Sequence, residues 1–136
     1  MNEEGASIVI ERPVEWADTD ASGFHHNTFI VRLFEAAEAA LHEKVGLGTT
    51  LFGRVPRVRT SFVFKRRLAF GDVVEARLAV VAIGHTSLTY GFEARMDGEL
   101  AAEGEVVVVH ARPESDHGEA WPPEVRRALG GGDESG

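Results

Sequence analysis

The sequence predicts an α+β domain, an antiparallel β-sheet curled around one long helix. Three observations predict it. A single stretch, residues 27–45, keeps helical periodicity over several turns, one β-rich stretch precedes it, and four β-rich stretches follow, parted by turn residues. At 136 residues, 43% hydrophobic and 26% charged, the chain suits one compact domain with its own core, and a second full domain does not fit. The expected domain occupies residues 1–112, and residues 113–136 are expected to form a largely disordered tail.

Residues 7–16 carry Ile8, Val9, Ile10 and Val14 and read as a first strand. Pro13 within it has no amide hydrogen to give a ladder, so an edge position or a bulge is expected. Residues 17–26 read as a loop. In the helix, Ile30, Leu33, Phe34, Ala37, Ala40, Leu41 and Val45 recur at helical spacing, while Arg32, Glu35, Glu38 and His42 leave that face. Gly46 is the expected stop, since glycine tolerates the left-handed conformation that closes many helices.

Strands are then expected over residues 57–68, 73–83, 86–96 and 99–111, as an antiparallel meander. In the first, Val58, Phe62 and Phe64 alternate with Arg57, Arg59 and Lys65, the pattern of one buried and one wet face. Asp97-Gly98 is the strongest turn signal, because that pair favours the type I′ hairpin. The valine run 106–109 does not alternate, which predicts cover on both faces, one of them supplied by a partner subunit. A helix over residues 124–129 is too short to stand without docking.

Composition removes several classes of function. Without cysteine there are no disulfides, thiolate metal sites or Cys nucleophile, so nucleophilic chemistry falls to oxygen or imidazole. A net charge of -8 argues against nucleic acid as partner. No apolar run approaches the roughly 20 residues that span a bilayer, and Met1-Asn2-Glu3-Glu4 opens acidic, so no membrane partner is expected and the cytoplasm is the expected compartment. Six of the fourteen basic residues, Arg54, Arg57, Arg59, Lys65, Arg66 and Arg67, nonetheless crowd one short stretch. This positive island suits a small phosphorylated ligand, with a solvated strand face as the alternative.

Chemistry concentrates in residues 16–27, WADTDASGFHHN, where two acids, two imidazoles, a hydroxyl and an amide precede the helix. The first backbone N–H groups of a helix are unpaired and partly positive, so an oxyanion developing there is stabilised. A neighbouring carboxylate then serves as base or nucleophile. Capping of the turn or helix by Asp20 or Asn27 is the structural alternative.

Residues 14–38, VEWADTDASGFHHNTFIVRLFEAAE, resemble the signature of the 4-hydroxybenzoyl-coenzyme A thioesterase-like branch of the hotdog superfamily. That branch pairs an aspartate-x-aspartate loop, and a glycine three residues on, with the start of one central helix; Asp18, Asp20 and Gly23 match. Residues 64–109, FKRRLAFGDVVEARLAVVAIGHTSLTYGFEARMDGELAAEGEVVVV, resemble the closing strands of the family. The resemblance implies a hotdog fold, thioester hydrolysis without cofactor or metal, and a pocket shared between subunits of a homodimer or homotetramer. It makes Asp20 the nucleophile or general base, with Gly23, His26 and Asn27 in the catalytic segment and oxyanion donors among the amides of His25 to Asn27. Asp18 inherits no catalytic role. His25, Arg57, Lys65, Arg66 and Arg67 are the candidates for binding an acyl-coenzyme A or related acyl-thioester substrate.

The chain also departs from these relatives. Its loop after Gly23 is one or two residues shorter than the hydroxybenzoyl type and lacks the aromatic-proline pair. His26-Asn27 instead resembles the paired asparagines of acyl-carrier-protein thioesterases, whose loop histidine is replaced by Phe24. Adjacent His25 and His26 diverge in direction and lack a third ligand at helical spacing, which argues against zinc. Glu35 is a second candidate acid, because other hotdog branches carry a catalytic carboxylate on the helix. An enoyl-thioester hydratase or dehydratase, using His26, and a non-catalytic acyl-thioester sensor are the alternative functions.

Overall fold

The computed structural model describes residues 5–20, 23–25, 27–115 and 117–130. Its elements in chain order are β1 (Ser7–Pro13), α1 (Asn27–Lys44), the single-turn α2 (Gly48–Leu51), β2 (Arg57–Phe64), β3 (Val73–Ile83), β4 (Ser87–Met96), β5 (Glu99–Val109) and α3 (Pro123–Ala128). The five strands form one antiparallel sheet in the order β1-β3-β4-β5-β2, with α1 packed on one face, the expected hotdog arrangement.

The core follows from the two periodicities. Ile30, Leu33, Phe34, Ala37 and Leu41 bring one stripe of α1 onto alternate residues of the strands, among them Ala76, Leu78 and Val80 of β3, Leu88, Tyr90 and Phe92 of β4, and Val106 and Val108 of β5. Gly46 ends the helix as expected: its N–H donates to Glu43 O (3.1 Å) and that of Leu47 reaches back to His42 O (2.7 Å). Asp97 and Gly98, with φ of 53° and 80°, form the tight β4–β5 turn. Pro13 closes β1, which lies on a sheet edge.

Three expectations are corrected. The meander holds only for β3, β4 and β5; β1 occupies the free edge of β3, from Ser7 opposite Ala79 to Pro13 opposite Val73, so β2 pairs with β5 on the far side. The connection over residues 65–72 therefore crosses one end of the sheet. As an outer strand, β2 also lacks the expected buried face: Phe62 is half-buried, whereas Val58 and Phe64 are 57% and 42% exposed.

The boundary at residue 112 falls too early. Trp121, Val125 and Leu129 are core residues, the Trp121 ring stacks on His110 at 5.0 Å, and its Nε1 donates to Ser87 O (2.9 Å). Docking supplies what α3 lacks in length, and Arg126 adds a bond to Gly84 O (2.5 Å). Residues 131–136 of the expected tail lie outside the described residues.

Candidate functional site

The chemistry-bearing loop is held from two sides. On its own side, residues Trp16–Asp18 make one 3-10 turn, in which the Glu15 N–H donates to Asp18 Oδ2 (2.8 Å) and the other Asp18 oxygen pairs with Arg32 of α1. The chain then reverses: the Asp20 N–H donates to Phe24 O (2.9 Å) and the Gly23 N–H to Asp20 O (3.0 Å), while Thr19 and His25 pair across the reversal. Gly23 sits at φ 88°, where a side chain is strained, which explains a glycine three residues after Asp20.

The second support is the crossing connection. His25 donates its N–H to Leu68 O (2.8 Å) and accepts the Leu68 N–H on Nδ1 (3.1 Å). Phe24 bridges Ala69, the Phe70 N–H reaches Gly23 O (3.2 Å), and Val14 exchanges bonds with Gly71 and Asp72. Asp20 is thereby displayed, exposed, on a braced turn seven residues before Asn27 opens α1.

The predicted site residues are only partly brought together. Asp20, Gly23, His25 and Asn27 share this end of the molecule, and His26 lies outside the described residues. The His25 amide is taken by Leu68, which removes it from the expected oxyanion donors. The basic island is spread out: Arg57 starts β2 and Lys65 follows its end, about 26 Å further along at roughly 3.3 Å per residue. Most of its members are paired with acids, Arg57 with Glu38, Arg59 with Glu105, Lys65 with Glu103 and Arg66 with Glu99. Arg67 instead lies over the Phe24 ring, 4.9 Å from its centroid.

A buried polar network was missed. Glu38 and His42, read as leaving the apolar stripe, are each only 7% exposed. Glu38 takes Arg57 in a two-pronged pair (2.5 and 3.0 Å), the guanidinium stacks on Phe34, and His42 Nε2 bonds the Tyr90 hydroxyl (2.7 Å). Burial pulls His42 below its ordinary 6.5, opposed by Glu38 and aided by Arg57. Burial first, then Glu38, keep the Tyr90 phenol protonated well above 10.0. The signal available in sequence was the Glu38/His42 spacing of one helical turn, which marks neighbours without saying whether they are wet.

Glu38, His42 and Arg57 line a groove of ≈ 940 Å³ with Leu51, Val55 and the 86% exposed Phe52. Glu35 is exposed on its rim, about 12 Å along α1 from Asn27. Among the described residues no three His, Asp or Glu side chains cluster as a metal site, and no helix is long and apolar enough to cross a membrane.

One central helix wrapped by a β1-β3-β4-β5-β2 sheet, with an acid-bearing loop feeding the helix start, defines the hotdog class of thioester enzymes. Residues 14–129 match the model of the thioesterase-like superfamily, and the chain belongs to that family. Among solved structures, it resembles a hypothetical protein from Thermus thermophilus (27% identity, 89% of this chain and 95% of that one, TM-score 0.81). A predicted thioesterase from Bacillus stearothermophilus is similar at 26% identity, covering 91% and 94% of the two chains with a TM-score of 0.81. A 1,4-dihydroxy-2-naphthoyl-CoA thioesterase from Synechocystis shares the fold at 21% identity, 90% and 95% coverage and a TM-score of 0.81. Among curated proteins none matches.

Proposed function

We propose that this protein hydrolyses an acyl-coenzyme A thioester to a carboxylic acid and free thiol, with Asp20 as the acting carboxylate. The observation that carries this reading is Asp20 itself: an exposed acid on a braced reversal just ahead of the central helix, in a chain of the thioesterase-like superfamily. Asp20 either attacks the thioester carbonyl or takes a proton from the attacking water. Amides of the first turn of α1, with that of Asn27 among them, receive the negative charge that builds on the carbonyl oxygen. Coenzyme A as carrier is supported by the naphthoyl-CoA thioesterase that shares the fold.

In this reading two copies complete the site. The exposed β2 edge, with Val58, Val63 and Phe64 uncovered, is a strand in need of a neighbour, and a second copy supplies one. The expected compartment is the cytoplasm. A screen of the purified protein against acyl-coenzyme A esters of varied length and aromaticity, followed by appearance of free thiol, tests the proposal. Turnover of at least one ester is expected. Binding of the esters with no thiol released would replace it with the acyl-thioester sensor.

A further inference from the structure

Arg67 differs from its neighbours in the basic island. Four of the six, Arg57, Arg59, Lys65 and Arg66, each have a carboxylate within ion-pair distance. Arg54 precedes β2, at the end remote from the Asp20 loop. Arg67 has no acid partner among the described residues, although the chain carries 22 acids. Its guanidinium rests instead on the face of Phe24, and Phe24 is joined by its carbonyl to the Asp20 amide (2.9 Å). A cation with no acid partner among the described residues is therefore tethered within one hydrogen-bonded reversal of the proposed catalytic acid.

Stacking engages the flat face of a guanidinium and leaves its in-plane N–H donors in place. Those donors form the fork that matches a phosphate or carboxylate bidentately, which the point charge of a lysine does not. Because the ring limits the motion of the side chain, less freedom is lost when an anion binds. The crossing connection fixes the base of this arrangement, since Leu68, next to Arg67, is bonded to His25 through both its N–H and its C=O.

We propose that Arg67, held on Phe24, is the anion-reading residue of the site, binding a negatively charged group of the thioester substrate. This rests on the thioesterase reading above. The group is a phosphate of the carrier or a carboxylate on the acyl chain, and three esters separate them. Butyryl-coenzyme A carries phosphates only, succinyl-pantetheine an acyl carboxylate only, and butyryl-pantetheine neither.

The experiment compares kcat and KM for these esters in the wild type, Arg67→Ala, Arg67→Lys and Phe24→Leu, with Arg59→Ala as a control on β2. For Arg67→Ala, KM is expected to rise about tenfold or more on one anionic ester with kcat nearly unchanged, because the contact exists equally in ground and transition states. A rise confined to butyryl-coenzyme A identifies a phosphate; one confined to succinyl-pantetheine identifies the acyl carboxylate. Arg67→Lys recovers part of the loss, and Phe24→Leu, which removes only the stacking face, raises the same KM about threefold. Equal changes on all three esters, or none, would overturn the proposal. Wild-type protein inactive on every ester, including the broader panel, would instead sink the thioesterase reading and this inference with it.

Discussion

The start of α1 and its middle treat acids in opposite ways. At its start, Asp20 stands exposed on a reversal closed by backbone bonds; midway along, Glu38 is buried and clasped by Arg57, beside a histidine and a tyrosine that share a short bond. A buried charge is tolerable only with its partner in place, so Glu38 is committed to holding β2 against the helix. Asp20 stands on main-chain bonds, its N–H donating to Phe24 O and its own carbonyl accepting the Gly23 N–H. Asp18, two residues earlier, belongs with Glu38 in this respect, because it fastens the Glu15 amide and Arg32. Position in the loop alone does not separate the acid that braces it, Asp18, from the one proposed to act, Asp20.

Four substitutions sharpen or break that contrast. Asp20→Asn keeps size and removes charge, so turnover should fall about 100-fold or more while the melting temperature holds. Near-normal turnover on a good ester would leave the helix start without its assigned acid. Glu38→Ala should do the reverse, costing about 2 kcal/mol or more in urea unfolding by stranding Arg57, with the partial exposure of Arg57 keeping the loss below that of a fully buried pair. If Glu38→Ala lowered kcat without moving the unfolding midpoint, the network would be part of the site and not its frame.

Asp18→Ala is expected to cost about 1–2 kcal/mol of stability through the lost bond to the Glu15 amide, with turnover falling far less than in Asp20→Asn. Equal kinetic losses in the two variants would erase the distinction drawn between them. The smallest effect concerns pH. Since burial lowers His42 in the folded protein, the unfolded chain binds its proton first as pH falls below about 6.5, so stability is present above that value and declines toward the lowered folded value. Melting curves between pH 7 and 5 should show this decline, and His42→Gln should flatten part of it. An unchanged slope would place the acid sensitivity elsewhere.

The sequence by itself determined the α+β class, because its signals are local: a 3.6-residue stripe from Ile30 to Leu41, β-rich stretches parted by turn residues, and the Asp97-Gly98 turn act over a few residues each, while the hotdog class followed from the resemblance of residues 14–38 to a known family. It also marked the loop around Asp20, since a density of polar side chains before an amphipathic helix needs no knowledge of distant contacts. What it missed depends on neighbours far along the chain. Whether β2 lies beside β3 or beside β5 is set by β1 taking the β3 edge, and no residue within β2 encodes that competition. Glu38 reads as solvated until Arg57 and Tyr90 close over it, and Trp121 reads as tail until His110 and Ser87 receive it. Only tertiary structure decided that Arg67 meets a ring instead of an acid, because the partner depends on which strand end the Asp20 loop is folded against.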